Sequence, residues 1–314
     1  MVYAFDPDLA PVAPLMPRFD IADVPAAREQ TREFERQAPP LPDAPGLLDE
    51  EVHVPATGPD RTVRCRVFRP ADDAPGAPAV IHLHGGAFVA GSVDLEAGDA
   101  RRFAAELGAV VVSVDYRLAP DHPYPAALDD VHAVLEFLAG GAYGVDADRI
   151  AVAGQSAGGG LAAALTLRVR DHGGPTLAGL CLSIPELDHR LDTPSMTAYD
   201  DTPIWTRTDA HRSWAYYLGD TDPVPAYASP AVAEDLTGLP PAYVSVCEFD
   251  PLRDEGMAYA SRLVQAGVPT ELHLFPGTFH GAEMVAGAAV AERMVAEKTA
   301  ALGRLLRARA GVTL

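Results

Sequence analysis

The sequence predicts an α/β fold built on a mostly parallel sheet with helices on both faces. Three observations predict it. Short runs of branched and small apolar residues recur at 79–84, 109–116, 150–153, 177–184 and 242–249, with helical stretches between them. These runs are almost continuously apolar rather than alternating, the pattern of strands covered on both sides. One of them leads directly into Gly154-Gln155-Ser156-Ala157-Gly158-Gly159 and then into a small-residue helix, which places a serine at a sharp strand-to-helix turn.

At 314 residues the chain is long enough for one large α/β domain with a sizeable core. The balance of 24 Lys and Arg against 44 Asp and Glu gives a net charge of −20, which argues against nucleic acid or an anionic membrane surface as a partner. The first residues show no basic segment followed by an apolar one, and no stretch reaches 18 uninterrupted apolar residues. A soluble, cytoplasmic protein is the expectation. Cys65, Cys181 and Cys247 lie singly in apolar runs and read as buried thiols.

Taken in order, residues 1–45 form a Pro-rich arm with one polar helical stretch from Val24 to Arg36, an appendage rather than a core element. Two alternating runs between Glu51 and Arg69 read as an edge hairpin. The core then runs to residue 185 through the strand at 79–84, a polar helix at 97–107, the strand at 109–116, a helix ending near Ala139, and the strand and helix around Ser156. From 186 to 239 the alternation stops, in a stretch that carries Pro, Asp, Thr and both tryptophans. This insertion and the arm are expected to form a lid over the carboxyl end of the sheet. The α/β rhythm resumes from 240 to 314, with a strand at 242–249, a helix opened by Asp250-Pro251-Leu252-Arg253-Asp254-Glu255-Gly256, a last strand at 270–275 and a final helix to about Ala310.

Gly154 and Gly158 flank Ser156 where a sharp turn leaves no room for a Cβ, and the first N–H groups of the following helix, Ala157 among them, face the space in front of the hydroxyl. Acyl transfer from serine needs a base, an acid to orient it, and donors for the oxyanion. Reactive groups in parallel sheets collect beyond the carboxyl ends of the strands. Among histidines, His84 and His280 pass that filter best; among acids, Asp250, Asp115 and Glu186 pass it. His280 lies in a Gly-bounded loop free to reach Ser156, whereas His82 and His273 lie within strands, and His84 is better read as a residue that fixes its own loop. Asp250 follows a strand directly, while Asp254 and Glu255 read as first-turn dipole and cap residues. The triad is therefore Ser156, Asp250 and His280. The glycine turn can present N–H groups at Gly85, Gly86 or Ala87 toward the void that Ala157 N–H faces, as oxyanion donors. Phe88, Trp205, Trp214 and Tyr217 are expected to line an apolar substrate pocket. No His, Cys or Asp cluster has the spacing of a metal site.

These residues resemble the hormone-sensitive-lipase-like carboxylesterases, bacterial esterase family IV. The resemblance runs from about His53 to the C-terminus, on His84-Gly85-Gly86-Ala87-Phe88, the stretch 115–130, the Ser156 turn, the stretch 250–256 and Phe279-His280-Gly281. It implies an α/β-hydrolase fold of eight strands, a helical cap built from the arm and residues 186–239, and hydrolysis of short- to medium-chain acyl esters without a cofactor. It also implies homodimerisation through the edge strand at 270–275. Ala87 stands where the family usually has a third Gly, and Gln155 where it usually has an acid; the second change bears on local hydrogen bonding and pH optimum. Lactones, amides or carbamates as substrates, and a non-catalytic receptor on the same fold, are the competing readings.

Overall fold

The strands are Leu47–Pro55 (β1), Thr62–Pro70 (β2), Ala79–Leu83 (β3), Val110–Val114 (β4), Ile150–Gln155 (β5), Gly179–Ser183 (β6), Ala242–Phe249 (β7) and Thr270–Phe279 (β8). They form one sheet in the order β1-β2-β4-β3-β5-β6-β7-β8. This computed structural model describes residues 3–38, 40–41, 44–58, 60–72 and 75–307. The β1–β2 hairpin and the β2–β4 pair are antiparallel, and every pairing from β4 to β8 is parallel. All residues of β3, β4 and β6 are buried, which is why their sequences are apolar but for His82, Ser113 and Ser183.

Helices Ala97–Leu107 (α2), Ala126–Ala139 (α3), Ala157–His172 (α4), Arg253–Gln265 (α7) and Ala289–Arg307 (α8) carry the crossovers and the C-terminal cover. One face of the sheet packs on residues such as Leu135, Leu161, Leu165 and Leu263, and the other on Phe103, Leu302 and Leu306. β3 lies between β4 and β5, with Leu83 opposite Gly154. The chain order reverses there, so the turns that leave β3 and β5 lie side by side, at the switch point where parallel sheets bind ligands. No helix among the described residues is long and apolar enough to cross a membrane. All three cysteines are free and buried.

Three features differ from expectation. The arm is no loose appendage: its helix Val24–Gln37 (α1) buries Val24 and Ala27, and Leu9 and Ile21 are fully buried, because their apolar side chains close over the end of the sheet. β8 continues past Phe275 through Pro276 and Gly277 to Phe279. An edge strand tolerates a proline that cannot donate, and Gly277 at φ 72° takes the bend while its N–H donates to Glu248 Oε2. Asp254 and Glu255 do not cap α7. Asp254 accepts from Ser195 N–H, and buried Glu255 accepts from Leu187 N–H at 2.6 Å and Asp188 N–H at 3.2 Å, so both tie the helix to the insertion. The insertion itself holds helices Pro194–Ala198 (α5) and Arg207–Leu218 (α6).

Candidate active site

Ser156 occupies a strained turn, φ 53° and ψ −120°, between β5 and α4. An L residue there needs its backbone tied down from outside. Its N–H donates to Ser183 O at 2.9 Å, and its carbonyl accepts from Gly160 N–H at 3.1 Å and Glu186 N–H at 3.0 Å. A Cβ on Gly154 would overlap the Gly158 carbonyl, and one on Gly158 would overlap the Leu83 carbonyl, so only glycine lets the two strand ends close on the turn.

His280 follows β8 by one residue, and Asp250 follows β7 by one. The structure brings both to the serine. His280 Nε2 lies 3.1 Å from Ser156 Oγ, and His280 Nδ1 lies 2.8 Å from Asp250 Oδ2. Asp250 Oδ1 accepts from Leu252 N–H at 2.9 Å, which fixes the carboxylate plane. With Asp250 accepting from Nδ1–H, the lone pair of Nε2 faces the serine hydroxyl. All three side chains are buried. The other acid candidates stand elsewhere: Asp115 pairs with Arg64 at 3.2 Å, and the Glu186 carboxyl is fully buried beside Ser213.

The turn after β3 completes the arrangement. His84 stacks on Tyr116 at 4.2 Å, its Nδ1 lies 2.7 Å from Gly85 O, and Tyr116 Oη donates to His84 O at 2.7 Å, so it fixes its loop as expected. Gly86 at φ 122° and Ala87 at φ 58° turn the chain sharply. Gly85 does not keep the role expected of it. Its N–H donates to Glu96 Oε1 at 2.7 Å, so it is already satisfied. The N–H groups of Gly86 and Ala87 have no acceptor among the described residues, and with Ala157 they are the open donors.

A cavity of about 380 Å³ opens over Ser156 and His280. Its walls are mostly apolar and come from Met16, Phe19 and Phe34 of the arm, Ile204 and Trp205 of the insertion, and Leu95 and Met284 of the core. Trp205 sits 5.8 Å from the His280 ring, as a lining residue should. Phe88, Trp214 and Tyr217 are not in this wall, which corrects the expectation for them. Phe88 stacks on Tyr217 at 4.0 Å and meets Trp214 at 5.7 Å, all three buried where α6 packs on the turn after β3. Trp214 and Tyr217 are three apart on one helical face, a spacing that marks an inward stripe as readily as a binding surface.

The family described as alpha/beta hydrolase fold matches residues 80–284. Esterase LipI of Mycobacterium tuberculosis is 40% identical over 286 residues, covering 88% of each chain. The carboxylesterase NlhH of the same species is 39% identical over 288 residues, covering 88% of this chain and 89% of its own. The structure of a bacterial heroin esterase superposes with a TM-score of 0.93 at 44% identity, over 97% of this chain and 99% of that one. The chain belongs to the hormone-sensitive-lipase-like carboxylesterases of the α/β-hydrolase fold.

One residue beside the esterase site escapes sequence reasoning. Glu96 stands at the N-cap of α2 without capping it, its carboxylate turned back to Gly85. Burial pushes its pKa up to about 8. An acid at the start of a helix reads as an ordinary cap, and only its partner across the turn reveals otherwise. Glu186, a candidate as a strand-end acid, is fully buried; burial, opposed by the Ser213 hydroxyl and reinforced by Asp250, pushes it up to about 8 as well. Gln155 lines the cavity over the serine and also a second, larger one on the far side of Glu96. Among the described residues of this esterase, no group of three or more His, Cys, Asp or Glu side chains is placed to hold a metal ion.

Proposed function

We propose that this esterase cleaves short- to medium-chain acyl esters through Ser156, His280 and Asp250, with Gly86, Ala87 and Ala157 as oxyanion donors. The observation that carries the reading is the unbroken line from Asp250 Oδ2 to His280 Nδ1 at 2.8 Å and from His280 Nε2 to Ser156 Oγ at 3.1 Å. Ser156 Oγ attacks the ester carbonyl while His280 Nε2 takes its proton, and Asp250 stabilises the resulting imidazolium. The carbonyl oxygen becomes an anion that the three N–H groups receive. The intermediate collapses, the C–O bond to the alcohol breaks, and His280 gives its proton to the departing oxygen. Water then attacks the acyl-enzyme with His280 again as base, and collapse frees the carboxylic acid and restores the serine.

The arm and residues 186–239 act as a cap in this reading. Support comes from Phe19, Phe34, Ile204 and Trp205, which wall the cavity above the serine. A volume of about 380 Å³ suits a small acyl or alcohol group of modest size. The substrate is a small-molecule ester, met in the cytoplasm, where three free buried thiols are in keeping with a reducing compartment. Two copies pair along the free edge of β8, which presents Leu272 and Leu274.

The deciding experiment measures turnover of a p-nitrophenyl ester series, from acetate to decanoate, beside lactone and anilide substrates. Ser156→Ala is expected to reduce kcat by at least about 10⁴-fold at unchanged fold. Ester turnover that survives in Ser156→Ala overturns the assignment, and faster lactone or anilide turnover moves it to those substrates.

A further inference from the structure

Within Gly85-Gly86-Ala87, every polar backbone group has a partner among the described residues except the N–H groups of Gly86 and Ala87. The Gly86 carbonyl accepts from Val89 and Ala90 N–H, the Ala87 carbonyl accepts from Ser213 Oγ at 3.1 Å, and the Gly85 carbonyl lies against His84 Nδ1. The remaining tie is the Gly85 N–H, and its acceptor is a side chain, Glu96, rather than backbone. A Cβ built on Gly85 would lie 3.4 Å from Gln155 O and Glu96 Oε1 and 3.5 Å from Ser156 Cβ. Gly85 thus lies in ordinary contact distance of both the carboxyl of Glu96 and the nucleophile's own strand, and any shift of it moves Gly86 and Ala87. Glu96 gives up a cap bond to its own helix to make this contact.

We propose that Glu96 is a positioning residue for ester hydrolysis: its carboxyl holds the Gly85 N–H and so aims the Gly86 and Ala87 donors at the oxyanion. The inference rests on the triad and oxyanion roles given above. It also requires that the carboxyl be uncharged while the reaction runs. A carboxylate bonded to the residue next to the oxyanion donors would repel the charge that develops there, whereas a neutral acid keeps an acceptor on Gly85 without that repulsion.

The surroundings favour the neutral acid. Burial dominates, Asp99 and Glu283 reinforce it, and the Gly85 N–H and Lys298 oppose it, with the net result that Glu96 is pushed up to about 8. Lys298 is itself engaged by Asp99 at 2.6 Å and by Glu283 at 3.1 Å. From β3, His82 Nε2 lies 3.6 Å from Glu96 Oε2, and burial pulls that imidazole down to about 4, so it brings no charge. Tyr116, held well above its ordinary range by burial, keeps its proton. Arg101 and Arg102, on the helix that Glu96 begins, line the outer cavity.

The test is the pH profile of kcat/KM, from pH 5 to 10, for the wild type, Glu96→Gln and Glu96→Leu. Wild-type activity should fall as Glu96 ionises, above about pH 8, by about tenfold or more. Glu96→Gln keeps an acceptor and cannot ionise, so it should retain at least about half of the wild-type kcat at pH 7 and lose the alkaline fall. Glu96→Leu removes the acceptor and should lower kcat by about ten- to hundredfold with KM little changed, the size of effect a small misplacement produces. A Glu96→Gln profile that falls as the wild type does, a wild-type profile flat to pH 10, or a Glu96→Leu kcat within twofold of wild type overturns the proposal. Should Glu96→Leu fail to fold, the Glu96→Gln profile still decides. Loss of activity in Ser156→Ala with unchanged Glu96 variants would sink this inference and leave the triad reading standing.

Discussion

Around Ser156 the division between what residue type dictates and what it leaves open is sharp. Positions 156, 250 and 280 are legible because each lies one residue beyond a strand, where side chains meet at the carboxyl edge of a parallel sheet. The fate of the Gly85 N–H is not legible, because Glu96 lies eleven positions on and reads as an ordinary helix cap. Glu186 is legible as an acid beyond a strand, but not its surroundings: it is fully buried beside Ser213. Its carboxyl, pushed up to about 8 by burial against the opposing Ser213 hydroxyl and with help from Asp250, keeps its proton in the folded chain after the unfolded chain has lost it. The native state binds more protons than the unfolded state between about pH 4.3 and 8, so this group's contribution to stability is greatest below that window and declines through it. Glu186→Gln, of nearly equal volume, removes the titration. Its melting temperature relative to wild type should therefore rise from pH 5 to pH 8, by an amount on the order of 4 kcal/mol in stability. A difference between the two proteins that stays constant with pH would show that Glu186 is ionised in the native state.

Among the elements, α1 and α6 are where sequence reasoning fell short, and for one reason. A helix outside the sheet announces its amphipathic face but not what that face touches. The tryptophan and tyrosine of α6 turn inward onto Phe88 and leave the cavity wall to Trp205 and the arm. Helix α1 is held by Arg28, whose Nε donates to Val89 O and Nη2 to Ala119 O, each at 2.9 Å, while Nη1 pairs with Asp121 at 2.6 Å. The guanidinium thus joins the arm to the segment that follows the oxyanion turn. Charged hydrogen bonds of this kind contribute about 1.5–3 kcal/mol each when the acceptors are screened from water. Arg28→Ala should loosen the arm without touching the reacting groups: KM for a butyrate or hexanoate ester rises about three- to tenfold, kcat holds within about twofold, and the arm is cut sooner by protease. An equal loss in kcat would mean that Arg28 acts through the oxyanion turn instead of through the wall of the cavity.

At the scale of the whole molecule the α/β class was readable because five strand runs are almost continuously apolar, a signal no single substitution erases. Long-range closure by the arm was not, since Leu9 and Ile21 become core residues through contacts far away in sequence. The sheet leaves one parallel edge open, at β8, where Leu272 is 41% and Leu274 43% exposed. The arm covers its far end, where Asp6 N–H donates to Gly277 O, but the stretch 270–274 with its two exposed leucines is a template for strand addition, and a second copy of the chain offers the same edge in a self-complementary pairing. Charge works against that pairing, because each copy carries −20. The dimer should accordingly strengthen as salt screens the repulsion between copies, the opposite of an association held by ion pairs. Light scattering at 0.05 and 0.5 M NaCl should show the dimer fraction rising with salt, and Leu274→Lys, which sets a cation on the edge and removes apolar contact, should yield a monomer with full esterase activity. A dimer that persists in Leu274→Lys, or one that dissociates as salt is added, would place the contact on another face of the molecule.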